Sequence, residues 1–171
     1  ELKDFCVNPI NNMEMVTATK DAVYYSADGG NSWKSLGSMS KTTPGVKAVA
    51  VVTLEGETVV FMTHPIFGLS YIMPYRNKAM WTDVEDGFIK MQSLSSPDEI
   101  ADILPVVRSR PDGAVYTELY LSQSYIPNIY RFDWAEKKGV LLYKGTEPVD
   151  CLDGLSIMDD VLVYTHLEGI G

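Results

Sequence analysis

Strand-length runs of apolar or alternating residues, each closed by a turn, recur along the whole chain, and helical periodicity is nearly absent. That rhythm restricts the fold more than any other feature. Met13–Thr19 and Ala22–Ser26 read as a first and second strand joined by the tight turn Lys20-Asp21, and a third begins at Trp33. Residues 1–12, which carry Asn8-Pro9 and Asn11-Asn12, read as an entry segment. After the Ser/Thr/Gly-rich linker Gly37–Gly45 the order returns. Val46–Leu54, the turn Glu55-Gly56-Glu57, Thr58–Thr63, Gly68–Met73 and Met80–Val84 make the second set, with Trp81 placed after its turn much as Trp33 is.

Ser93–Ala101 reads as a connection, in which Ser96-Pro97-Asp98-Glu99 can cap a helical turn. The third set is Ile103–Arg108, the turn Arg110-Pro111-Asp112-Gly113, Ala114–Leu121, Asn128–Trp134, the turn 135–139 and Val140–Lys144. Pro105 removes a ladder donor, which marks its strand as irregular or near an edge. Gly154–Met158, the turn Asp159-Asp160 and Val161–Thr165 start the pattern once more, with Asp159-Asp160 in the place of Lys20-Asp21. Tyr25, Tyr71, Tyr130 and Tyr164 then recur at roughly one per 45–50 residues, the period of a four-stranded propeller blade. The expected fold is all-β: a single β-propeller portion of four-stranded antiparallel blades. Its units span about 13–44, 46–92, 102–148 and an incomplete 151–171. A blade broken off after two strands exposes a sheet edge. The expectation is therefore that a second chain or a missing C-terminal part completes the propeller.

The sharpest local motif is Val23-Tyr24-Tyr25-Ser26-Ala27-Asp28-Gly29-Gly30-Asn31-Ser32-Trp33. Asp28 can turn back onto backbone N–H groups of its own turn, Gly29 and Gly30 can take positive φ, and Trp33 offers a large ring to fasten the hairpin. Ser26, Asp28, Gly30 and Trp33 fill the four positions of Ser-x-Asp-x-Gly-x-x-Trp. The stretch thus resembles the Asp-box (BNR repeat) of sialidase-like and sortilin-like β-propellers. The resemblance implies a structural fastener on the propeller rim, remote from any active site, and a secreted, periplasmic or cell-surface setting. The motif itself is confined to residues 23–33.

The sialidase branch of that superfamily implies three arginines, a Tyr–Glu pair and an Asp, with the first arginine in Arg-Ile-Pro ahead of the first Asp-box. Here the arginines are Arg76, Arg108, Arg110 and Arg131, none in Arg-Ile-Pro and none before residue 76. No catalytic residue is assigned. The acidic pairs Glu85-Asp86, Asp98-Glu99 and Asp159-Asp160 sit in turn-like contexts and read as solvated turns. Asp83-Val84-Glu85-Asp86-Gly87 is the nearest approach to a calcium loop, but too few oxygen ligands converge there to assign a metal. Nor is a cofactor expected, since no Gly-rich phosphate loop or nucleophile elbow occurs.

Three residues stand as candidate ligand or partner contacts. His64 and His166 each lie near the end of the second strand of their unit, where both could face one end of a central channel. Tyr125, in the loop Tyr125-Ile126-Pro127-Asn128, is placed to offer an exposed ring to a partner. The net charge of −9 argues against nucleic acid and anionic membranes, and no apolar run approaches the length of a membrane span. Cys6 and Cys151 are either two separate thiols or one pair closing a long loop.

The function expected on these grounds is a non-catalytic binding or assembly module that presents loops to a protein or glycan partner. Two alternatives stand beside it. One is the N-terminal half of a glycan-acting, sialidase-like hydrolase with its catalytic residues beyond this chain. The other is a structural half-propeller completed by oligomerisation.

Overall fold

The computed structural model describes residues 1–38, 45–64, 68–76, 80–83, 100–123, 128–145, 151–158 and 161–167. Tyr125, Glu85-Asp86, Asp98-Glu99 and Asp159-Asp160 lie outside them. Cys151 and His166 are placed by the backbone pairing of their strands alone.

The chain is all-β. β1 (Leu2–Val7), β2 (Met15–Thr19), β3 (Ala22–Ser26) and β4 (Lys34–Ser38) form one four-stranded antiparallel sheet in sequence order. β5 (Val49–Leu54), β6 (Glu57–His64), β7 (Gly68–Ile72) and β8 (Thr82–Asp83) form a second. A third comprises β9 (Ile100–Ser109), β10 (Val115–Gln123), β11 (Ile129–Asp133) and β12 (Lys138–Tyr143), and β13 (Cys151–Met158) pairs with β14 (Val161–Leu167). The first strands lie against one another in succession, β1 on β5, β5 on β9 and β9 on β13. Four-stranded meanders arrayed about their first strands are the blades of a β-propeller.

Sheet packing explains which strands alternate and which do not. The second sheet is sandwiched between the first and third. Ala50, Val52, Val59 and Phe61 join a core with Leu119, Leu121 and Phe132 of the third sheet. The intervening Val49, Val51, Val60 and Met62 join Val16, Ala18, Val23 and Tyr25 of the first. Both faces being covered, β5 and β6 read as continuous apolar runs. β2 covers one face only, so Val16 and Ala18 are buried while Met15 and Thr17 are part-exposed. A smaller core of Val106, Tyr120 and Ile129 meets Ile157 of β13.

Two sequence expectations need correction. Residues 1–12 hold a strand: β1 pairs with β2 from Leu2 to Val7, so the first sheet begins before residue 13 and Met13–Thr19 contributes its second strand. β1 escapes pattern reading because it is an edge strand with polar and exposed positions on both faces, Leu2 and Phe5 among them. The proposed equivalence of Lys20-Asp21 with Asp159-Asp160 shifts accordingly. Residues 20–21 join second to third strand, whereas 159–160 stand between the first and second strands of their sheet. Tyr25, Tyr71 and Tyr130 do share the third strand of their sheets; Tyr164 is on a second strand. Pro105 lies within β9, opposite Leu119, and β9 is the edge strand of its sheet.

Candidate functional site

The turns between first and second strands gather at one end of the molecule. Ile10 of the β1–β2 connection, Leu54 and Glu55 of the β5–β6 turn, Arg110, Tyr116 and Thr117 around the β9–β10 turn, and Trp134 after β11 line one cleft of about 430 Å³. That volume falls within the range of ligand-binding clefts. Three sheets therefore present the same end to a shared opening.

Trp134 is anchored from below by aromatic packing. Its ring stands edge-on to Tyr71 at 5.2 Å and to Phe61 at 6.1 Å, and Phe61 meets Phe132 at 5.4 Å. From above, Lys137 lies over the Trp134 ring and donates to the Trp134 carbonyl. Burial lowers the Lys137 pKa against the pull of Glu55, the leading opposing charge.

Glu55 and Lys137 are the two non-glycine residues with positive φ among the described residues, at 51° and 54°. Glu55 precedes Gly56 (φ 81°) in a two-residue hairpin turn that needs left-handed backbone at both positions, a place ordinarily taken by Asn, Asp or Gly. Arg110 stacks over Tyr116, with its guanidinium carbon 5.3 Å from the ring centre. Arg76 pairs with Glu57 at 2.7 Å, while Arg108 and Arg131 share Glu118 at 3.3 and 3.7 Å. Of the four arginines, Arg110 alone has no carboxylate partner among the described residues.

Beside this cleft, at the seam of the first and second sheets, Glu14 is 3% exposed and its carboxylate is surrounded by donors. Asn8 Nδ2 donates to Oε2 at 2.6 Å; Thr58 Oγ1 and the Tyr75 hydroxyl donate to Oε1 at 2.7 and 3.1 Å. The Tyr25 hydroxyl lies 3.0 Å from the same oxygen and 2.6 Å from that of Tyr75. Burial, then these two neighbours, pushes the Tyr25 phenol far above its ordinary range. Asn8 also donates to Thr53 Oγ1 at 2.9 Å, which ties the seam to the cleft wall. The carboxylate is thus engaged as a structural acceptor.

The 26–33 turn closes on itself as its residues imply. Asp28 Oδ1 accepts from the Ser32 N–H and the Ser26 hydroxyl, both at 2.8 Å, and Oδ2 accepts from the Ser32 hydroxyl at 2.6 Å. Gly29 and Gly30 take φ of 68° and 88°, and the Gly29 N–H donates to the Met13 carbonyl. Trp33 donates to the Gly30 carbonyl at 3.0 Å and remains 40% exposed, so it covers its own turn more than the sheet.

His64 ends β6 opposite Gly68 and is 2% exposed; His166 is opposite Leu152 on β14. Both lie on second strands, as expected. Tyr125 lies outside the described residues, but the strands bracketing its loop are tied by Gln123 Oε1, which accepts from Asn128 Nδ2 at 2.8 Å and from the Tyr130 hydroxyl at 3.2 Å. Among the described residues no group of His, Cys, Asp and Glu is arranged to hold a metal ion, and no helix is long and apolar enough to cross a membrane. Cys6 is a free thiol.

The sequence marks Arg110 as a turn residue and Trp134 as a strand-packing aromatic, and gives no site role to Glu14 or Tyr75. One signal for Glu14 is available: just ahead of β2, it shares the parity of the inward-facing Val16 and Ala18.

A scan against protein-family models finds no match, and neither does a search of the curated proteins. Among solved structures the chain is similar to the hemopexin fold protein CP4 from cow pea, at 17% identity and a TM-score of 0.41. The match covers 81% of this chain and 65% of that one, so the chain spans less than two thirds of that protein's length.

Proposed function

We propose that this chain is a non-catalytic propeller module that binds a protein or glycan partner at the cleft of the turn end. The observation that carries the reading is the cleft itself: three sheets supply its walls, an anchored tryptophan lies on one side, and on another an arginine with no carboxylate partner among the described residues. Hairpin turns between paired strands carry these groups, and groups placed before any ligand arrives reduce the ordering cost of binding. Glu14 supports a non-catalytic role, because its lone pairs already accept several protein hydrogen bonds.

In this reading the 26–33 turn is an Asp-box that fastens β3 to β4 and takes no part in binding. The test is to probe immobilised protein with a random peptide library and a glycan array, comparing the wild type with Val115→Arg. Val115 is exposed on the cleft, so the substitution fills it without disturbing the core. Saturable binding lost in Val115→Arg, with ligands recovered chemically unchanged, is the expected result. Binding indifferent to the substitution, or turnover of a bound glycan, overturns the reading.

A second reading, assembly through a sheet edge, draws on β12. It is the outer strand of its sheet, and Leu141 and Leu142 on it are 46% and 50% exposed. Light scattering decides it: a stable dimer dispersed by Leu141→Lys supports edge pairing, and a monomer rules it out.

A further inference from the structure

We infer that the turn-end cleft recognises an extended peptide in which a single acidic residue adjoins an apolar one. The inference rests on the reading of the cleft as the binding site, and it adds the ligand's chemistry. Arg110 supplies the first half. In a chain with 23 acidic and 14 basic residues, a guanidinium that meets no carboxylate among the described residues and instead lies over Tyr116 keeps its hydrogen-bonding fork open. A ligand carboxylate fits that fork in bidentate geometry, and the stacked ring keeps it oriented.

The second half is apolar. Ile10 and Val115, both exposed, line the same opening together with Leu54 and Trp134 and can cover one aliphatic or aromatic side chain. A sugar would need more polar partners than the cleft leaves free. Thr53 Oγ1 already accepts from Asn8 and has only its O–H left to give, and the Thr117 hydroxyl is buried out of reach of solvent. That leaves Glu55 and Arg110 as the charged groups of the lining, one of each sign. The lining offers one guanidinium fork, so the cleft selects one acid beside an apolar residue over a run of acids. Glu55 in turn is an acceptor for the peptide's own N–H groups.

Fluorescence anisotropy with labelled hexapeptides tests this. The panel holds Leu-Glu and Phe-Asp centred peptides, their Gln and Asn counterparts, Leu-Lys versions, and hexaglutamate. The acidic-apolar peptides are expected to bind best, and neutralising the acid weakens binding by about tenfold or more, the usual worth of a charge-assisted pair. Arg110→Gln should remove that preference, and Arg110→Glu should shift it toward the Leu-Lys peptides. Arg110 is exposed, so these variants leave the core intact. Peptide binding that ignores charge and Arg110 overturns this inference and leaves the binding-module reading standing. Best binding by hexaglutamate also overturns it, and binding by no peptide in the panel overturns it together with a peptide role for the cleft.

Discussion

The Thr58 hydroxyl donates to the Glu14 carboxylate at 2.7 Å across the seam between the first and second sheets. The bond joins the end of the β1–β2 connection to the start of β6, and the same carboxylate accepts from Asn8 and Tyr75. One buried acid thus holds two blades in register beside the cleft.

Removing it leaves donors behind. Glu14→Ala strands the Asn8 and Thr58 donors, at about 1–3 kcal/mol for each buried group left unsatisfied. Glu14→Gln keeps the shape and loses the charge-assisted character, for a smaller cost. Urea melts should rank wild type above Glu14→Gln above Glu14→Ala. Equal midpoints would mean that the seam does not depend on this carboxylate.

Asp28 gives a pH signature in the β3–β4 turn, beside Met13 at the same end of the first sheet. Hydrogen bonds from the Ser32 hydroxyl, the Ser32 N–H and the Ser26 hydroxyl lower its pKa to about 2. A depressed carboxylate stabilises the fold above its unfolded pKa, and that stability fades as pH falls through the folded value. The contribution is therefore intact at neutral pH and disappears between roughly pH 4 and pH 2. Carboxyl carbon NMR should show Asp28 titrating near 2, and Ser32→Ala should raise that value toward the ordinary range.

Thr117 offers a gain. Its hydroxyl is buried without a hydrogen-bond partner among the described residues, and β10 is a strand that suits a β-branched residue. Thr117→Val keeps the shape and removes the unsatisfied group, which should raise stability by up to about 1 kcal/mol. A lower melting temperature for Thr117→Val would show that the hydroxyl is used.

Cys6 packs against both large cores, and burial raises its thiol pKa. In a Cys151→Ser background, a thiol reagent at pH 8 should react with Cys6 roughly tenfold more slowly than with an exposed cysteine. Reaction at the exposed rate would place Cys6 at the surface.

Strand rhythm and turn chemistry were legible in the sequence, because hairpin turns such as Arg110-Pro111-Asp112-Gly113 name themselves through residues suited to tight turns, and Gly56 marks the β5–β6 turn. The closure of the 26–33 turn was legible for the same reason, since its hydrogen bonds are local. β1 was not, because its position comes from pairing with β2 rather than from its own pattern. Nor was the cleft. Arg110, Leu54, Trp134 and Ile10 are far apart in sequence, and only the packing of the second sheet between its neighbours makes them line one opening. What distinguishes Arg110 from the other arginines is which carboxylates each one meets, a tertiary fact.

The measurement that bears most directly on the account is amide chemical-shift mapping of the ¹⁵N-labelled protein titrated with the Leu-Glu hexapeptide. Shifts concentrated at Ile10, residues 53–56, residues 110–117 and Trp134 are the predicted result. Shifts concentrated at the other end, around His64, Gln123 and Asn128, would contradict it and move the binding site to the face where the histidines end their strands.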